Sequence, residues 1–243
     1  MFDAHKTRIE LVNWLREWFD VNGKDCPAVI GISGGKDSSV AAALCVEALG
    51  KDRVVGVMMP NGVQHDIKEC ALLAEHLGIT LEDINIKPMV IAFMSQIPHY
   101  PTDQATINLP PRIRMTMLYY IAQSIGGRVI CTDNASESFV GYSTRWGDNV
   151  GDVAPLLDFT TDEVVAIGDD LGLPQELTHK VPSDGLCGLT DEDRFGFTYD
   201  QLNCYIKHGY CHGTAAQEKI KSMHEKNLFK TLPISRFNHN RNI

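Results

Sequence analysis

None of the seven cysteines of this 243-residue chain forms a Cys-x-x-Cys pair, which weighs against a zinc ribbon or a sulfur-transfer centre. Their number is odd and most sit in apolar runs (Cys45, Cys70, Cys131), so reduced core residues are expected. Cys204, His208, Cys211 and His212 cluster, but at no standard zinc spacing, and helix-end packing is the default reading there. No apolar run is long enough to span a bilayer. The amino-terminal stretch carries charges along an amphipathic helical stripe, unlike a signal peptide, so a cytoplasmic protein without a membrane partner is expected. Positive charge is not in excess. Twenty-two Lys and Arg against 31 Asp and Glu leave a net charge of −9, which argues against broad nucleic-acid binding. No repeat, low-complexity tract or linker divides the chain, so residues 1–243 are read as a single domain.

What is present is alternation. Apolar runs at 27–32, 53–59, 79–86 and 128–132 read as strands. Helical stripes at 3–20, 38–49, 64–77 and 112–125 separate or flank them. This order predicts an α/β fold, a doubly wound, Rossmann-like parallel sheet with helices on both faces. The segment 87–107, with Pro88, Pro98 and Pro101, is read as irregular. Thr160-Thr161-Asp162-Glu163 has the capping-box form before a helix ending near Gly172. Residues 181–193 read as a loop, with helices near 198–207 and 214–226. Ligands of such sheets bind beyond the carboxyl ends of the strands.

At one such end stands Ser33-Gly34-Gly35-Lys36-Asp37-Ser38-Ser39. A glycine-rich turn between strand and helix offers unpaired N–H groups and the positive end of the helix dipole to an anion. The three serines add hydroxyls and Lys36 a charge. The spacing is not that of a Walker A loop: three residues separate Gly31 from Gly35, and Asp37 follows the lysine. An acidic residue in a phosphate cradle is repulsive unless a cation lies between, so Asp37 implies a divalent metal, read here as Mg²⁺ on a nucleotide. The string resembles the pyrophosphate loop of the ATP pyrophosphatases, Ser-Gly-Gly-x-Asp-Ser.

A second polar block follows the 128–132 strand and holds Asp133, Glu137, Arg145, Asp148 and Asp152. It looks like the second signature of the NAD synthetase family, Gly-Thr-Asp-x-x-Glu…Gly-x-x-Thr-Lys-x-Gly-Asp. Asn108-Leu109-Pro110-Pro111-Arg112-Ile113-Arg114-Met115 resembles the family's Asn-x-x-x-Arg-x-Arg-Met. Lys180-Val181-Pro182-Ser183, Thr190-Asp191-Glu192 and Gly196-Phe197-Thr198-Tyr199 resemble its mobile loop and the helices after it.

The resemblance implies ATP-dependent amidation of deamido-NAD by ammonia, through an acyl adenylate, in an ammonia-dependent homodimer. It implies that Gly31, Ile32, Ser33, Gly34, Gly35, Lys36, Asp37, Ser38, Thr132 and Ser183 bind ATP. Asp37 and Glu137 would hold Mg²⁺, and Arg112, Arg145 and Asp152 would contact deamido-NAD. Lys36, Asp37, Asp148 and Lys180 would serve the chemistry, with the 181–193 loop closing over it. Thr161 stands where the family has an ATP-contacting lysine, and Lys180 is the expected substitute. Position 145 is Arg for Lys, which keeps the charge and changes its geometry. Counting back from Pro233 places Leu228 and Phe229 at the family's His-Lys pair. The stretches before Ala28 and after Tyr205 amount to a few helices, so no glutaminase domain is expected. Two other readings stand beside this one: another amidating or RNA-modifying ATP pyrophosphatase, and a non-catalytic adenine-nucleotide-binding module.

Overall fold

The computed structural model describes residues 2–63, 67–97, 100–180 and 191–237. Helix α1 (Ala4–Asn22) opens on Asp3, whose side chain accepts the Lys6 N–H, and buries the stripe Leu11, Val12, Leu15 and Phe19. Strand β1 (Ala28–Gly31) leads into α2 (Lys36–Leu49), then β2 (Val54–Met58), α3 (Ile67–Leu77) and β3 (Thr80–Asp83). Two helices follow, α4 (Lys87–Ser95) and α5 (Asp103–Ser124), before β4 (Arg128–Val129). The remainder is helical: α6 (Ala135–Val140), α7 (Thr161–Asp170), α8 (Gln175–Thr178), α9 (Asp191–Phe195), α10 (Tyr199–His208) and α11 (Thr214–Asn227).

The four strands are parallel in the order β3-β2-β1-β4, and Val153 extends the sheet with one parallel bridge to Ile130. The chain moves outward from β1 to β3 and then returns to the other side of β1. That reversal opens a crevice at the carboxyl ends of β1 and β4. One face of the sheet is covered by α1, α2, α3 and α7 around Leu15, Phe19, Ile30 and Leu44. The other is covered by α4 and α5 around Val29, Val57, Met115 and Leu118. A third apolar cluster, with Val140, Phe195, Leu202 and Ile220, joins α6, α9, α10 and α11.

The segment 87–107 corrects the sequence reading, since most of it is helical. Pro88 sits in the first turn of α4, where an N–H would lack an intrahelical partner anyway. Helix α5 starts at Asp103 because the Thr102 hydroxyl accepts the Ala105 N–H at 3.2 Å, and it runs on through Pro110 and Pro111. Pro110, Met115, Leu118 and Ile121 are buried, and that packing offsets the two missing N–H donors. Residues 191–193, read as loop, form the first turn of α9. The Thr160 capping box forms as expected, and Gly209 ends α10 in the left-handed region.

Candidate active site

The glycine-rich loop is built by its own hydroxyls. Ser33 N–H donates to Ser38 Oγ at 3.3 Å, the two serine oxygens are 3.2 Å apart, and Gly35 N–H donates to Ser33 Oγ at 3.2 Å. Ser38 and Ser39 hydroxyls both donate to the Gly35 carbonyl. Gly34 takes φ +78°, a conformation that disfavours a side chain. Gly35 caps α2 without a side-chain bond, so the first-turn N–H groups face the crevice as an anion cradle. Gly31 and Ile32 bring the chain there. Ile32 N–H donates to Val57 O at 2.9 Å and prolongs the sheet.

Lys36 is buried at 5 % exposure. Its ammonium lies 3.0 Å from Asp37 Oδ2 and 5.8 Å from the centroid of the Tyr199 ring. Burial acts to lower its pKa, but Asp37, Glu137 and Asp191 outweigh that and hold it above the ordinary lysine value. Asp37 Oδ1 accepts Asn134 Nδ2–H at 2.9 Å, and Asn134 Oδ1 accepts the Glu137 N–H at 3.0 Å. One asparagine therefore ties the phosphate loop to the first turn of α6. Burial, and next the charge of Asp37, push the Glu137 carboxyl well above its usual range, while Lys36 opposes the shift. A carboxyl raised by burial and by a neighbouring carboxylate is one that a divalent cation would relieve. Among the described residues no group of three or more His, Cys, Asp or Glu is arranged to hold a metal. A pair suits an ion that takes its other ligands from water and phosphate.

Beyond the β4 end follow Thr132, half-buried, and Asp133, buried. Burial, then Asp148 and Asp37, push the Asp133 carboxyl up to about 7. Asp148 accepts the Thr144 N–H, and burial raises its pKa while Arg114 and Lys230 hold it down. Arg114 is itself lowered by burial and donates from Nε to Met59 O at 2.9 Å.

The two expected substrate arginines meet. Arg112 Nε donates to Arg145 O at 3.3 Å. The Arg145 guanidinium covers the Trp146 and Phe229 rings at 5.1 and 5.3 Å. Trp146 is the single non-glycine residue with positive φ among the described residues. Asp152 is engaged internally, accepting Val129 N–H at 2.8 Å and Tyr119 O–H at 3.3 Å. Lys180 pairs with Glu69 on α3 at 3.6 Å. Ser183 lies outside the described residues.

Several residues of this site carried no role in the sequence reading. Asn134 could be found only as a helix cap. Arg114 shows in the Arg-x-Arg spacing. Lys230 needed a different register from Pro233: its ammonium donates to Gly141 O at 2.7 Å and Ser143 O at 3.2 Å, beside Asp148.

The loop at the start of α2 and the Asp37–Asn134–Glu137 link lie on the elements that follow β1 and β4, the two arginines meet between α5 and the segment after α6, and comparison with known proteins places the whole chain. The NAD synthase family model matches residues 8–240. The NH(3)-dependent NAD(+) synthetase of Pyrococcus furiosus is 41 % identical over 195 residues, 80 % of this chain and 76 % of that protein. The solved NMN synthetase of Francisella tularensis overlays with a TM-score of 0.92 at 33 % identity, covering 98 % of this chain and all of that one. The NH3-dependent NAD synthetase of Campylobacter jejuni, 24 % identical, shares the fold with a TM-score of 0.80 over 98 % of this chain and all of that one. Fold and sequence together make this chain a member of the NAD synthase family, ATP-using ligases that form a carbon–nitrogen bond.

Proposed function

We propose that this chain joins ammonia to the nicotinate carboxylate of deamido-NAD, converting ATP to AMP and pyrophosphate. The observation that carries the reading is the Asn134 link, which fixes Asp37 of the phosphate loop against the helix bearing Glu137. A carboxylate oxygen is a poor leaving group. Its attack on the ATP α-phosphorus forms the P–O bond of an acyl adenylate and releases pyrophosphate. Ammonia then attacks the acyl carbon, AMP leaves, and one proton from nitrogen goes to solvent. The α2 N–H groups and the Ser33 and Ser38 hydroxyls bind the triphosphate, while Arg112 and Arg145 offset substrate charge. Mg²⁺, held by Asp37 and Glu137, would neutralise the developing phosphate charge. Ammonia as the nitrogen source, a cytoplasmic setting and a homodimer belong to the same proposal. Exposed Ile91, Phe93 and Met94 on α4 and Tyr120 on α5 support the dimer, which light scattering at micromolar concentration should report.

A second reading has its own observation. The overlay on the NMN synthetase is closer than that on the Campylobacter NAD synthetase. Thr161 and Phe229 also depart from the NAD synthetase pattern. In that case the acceptor is nicotinate mononucleotide, and the chemistry is unchanged. Pyrophosphate release from ATP with ammonium, measured with each acceptor in turn, decides. Preference for deamido-NAD supports the first reading and preference for the mononucleotide the second. Silence with both refutes both. Glutamine as sole nitrogen source should give no turnover.

A further inference from the structure

Asp191, the first residue of α9, is buried at 6 % exposure. Its Oδ1 accepts the Tyr142 hydroxyl at 3.2 Å and its Oδ2 accepts the Tyr199 hydroxyl at 3.1 Å. Both donors are neutral. They give each carboxylate oxygen a hydrogen bond and bring no compensating charge of their own. Tyr142 follows the helix that carries Glu137, and its N–H donates to Glu137 O at 2.9 Å. Tyr199 opens α10 and lies against Lys36, whose ammonium is 5.8 Å from the ring centroid. Phe195 packs edge-on to both tyrosine rings, at 4.5 and 5.7 Å. The carboxylate thus reaches Lys36 in two ways, through the ring it holds and through its field.

We infer that Asp191 is a positioning residue for the phosphate loop: held by Tyr142 and Tyr199, it fixes the ring against which Lys36 rests and so sets where that ammonium stands between Asp37 and bound ATP. The inference rests on the reading that this loop binds ATP. Without the carboxylate, the two hydroxyls lose their common acceptor, the Tyr199 ring is free to tilt, and Lys36 is left to Asp37 and Glu137. The sign of the effect separates this role from a simple electrostatic one. Removing a negative charge near an anion site should tighten ATP binding if charge alone mattered. Removing a positioning group should weaken it.

The test is Asp191→Asn, which conserves shape and removes the charge, with Tyr199→Phe, which keeps the ring and removes one donor. MgATP affinity is measured by calorimetry, with kcat and the KM of each substrate. For Asp191→Asn we expect MgATP about fivefold weaker and kcat about tenfold lower, with the KM of the nicotinate substrate within about twofold of wild type. Tyr199→Phe should move the same quantities in the same direction, by less. A helix-packing role alone would lower the melting temperature and leave MgATP affinity intact. That outcome, tighter MgATP binding, or unchanged kinetics each overturns the inference. If Asp191→Asn does not fold, MgATP binding by Tyr199→Phe decides by the same criteria. A wild-type chain that binds MgATP but amidates neither nicotinate substrate refutes the functional reading while the affinities still judge Asp191. One that binds no MgATP overturns both.

Discussion

Gly141→Ala and Gly126→Ala make a matched pair whose difference can be worked out in advance. Both glycines have left-handed backbones, φ +64° and +68°. An alanine in that region costs about 1–2 kcal/mol. At Gly126 the added methyl would meet nothing within 4 Å, so that cost is the whole effect. At Gly141 a Cβ would overlap Asn227 Cβ, far inside the approach that non-bonded carbons tolerate. Asn227 must then move, and its Nδ2–H bond to Val140 O at 2.9 Å goes with it. The lost bond is worth about 1 kcal/mol and the overpacking about 1–3 kcal/mol. Gly141→Ala should therefore cost about 4 kcal/mol in all, or roughly 10 °C in melting temperature for a chain of this size, against about 4 °C for Gly126→Ala. Circular dichroism melts of the two variants provide the measurement. Equal losses would refute the steric argument. The variant should also lose activity below its melting point, because Asn227 leads into Lys230, and the Lys230 ammonium holds Gly141 O beside Asp148.

Three further outcomes are expected. Asp37→Asn should abolish Mg²⁺-dependent turnover with a melting temperature close to wild type; near-normal activity would exclude Asp37 as a metal ligand. The Asp133 carboxyl, pushed up to about 7, binds its proton more tightly in the folded than in the unfolded chain. Metal-free stability should therefore fall as pH rises from about 4 through about 7, and urea unfolding at both ends of that window should show Asp133→Asn losing less than wild type. Lys180→Ala should weaken ATP use more than binding of the nicotinate substrate, and it should also free Glu69; unchanged ATP affinity and turnover would mean that Lys180 does not stand in for a lysine at Thr161.

Much of the fold was legible because its determinants are local. A buried parallel strand is a short apolar run, a surface helix is a 3.6-residue stripe, and the Ser33–Ser39 loop needs only glycines, hydroxyls and a strand-to-helix junction. Capping residues at Thr160 and Thr198 work within four residues of themselves. The segment 87–107 with Pro88, Pro98 and Pro101 was misread as irregular because proline's effect depends on place, as Pro88 in α4 and Pro110 and Pro111 in α5 show. Position in a first turn, or burial of the same helix against a sheet, decides whether it breaks anything, and both are set by packing. The site divides along the same line. Lys36, Asp37 and Glu137 are recognisable as types at a spacing, but their convergence depends on Asn134 across 97 residues of chain. Lys230 is placed by the docking of α11, where His224 Nδ1 meets Phe139 O at 2.7 Å and Asn227 binds Val140 O, not by its distance from Pro233. Asp191 looks like any acidic residue at a helix start. Only the tertiary structure buries it between two tyrosines and within reach of the lysine's charge, because hydrogen-bond partners and desolvation are properties of neighbours in space that no local pattern encodes.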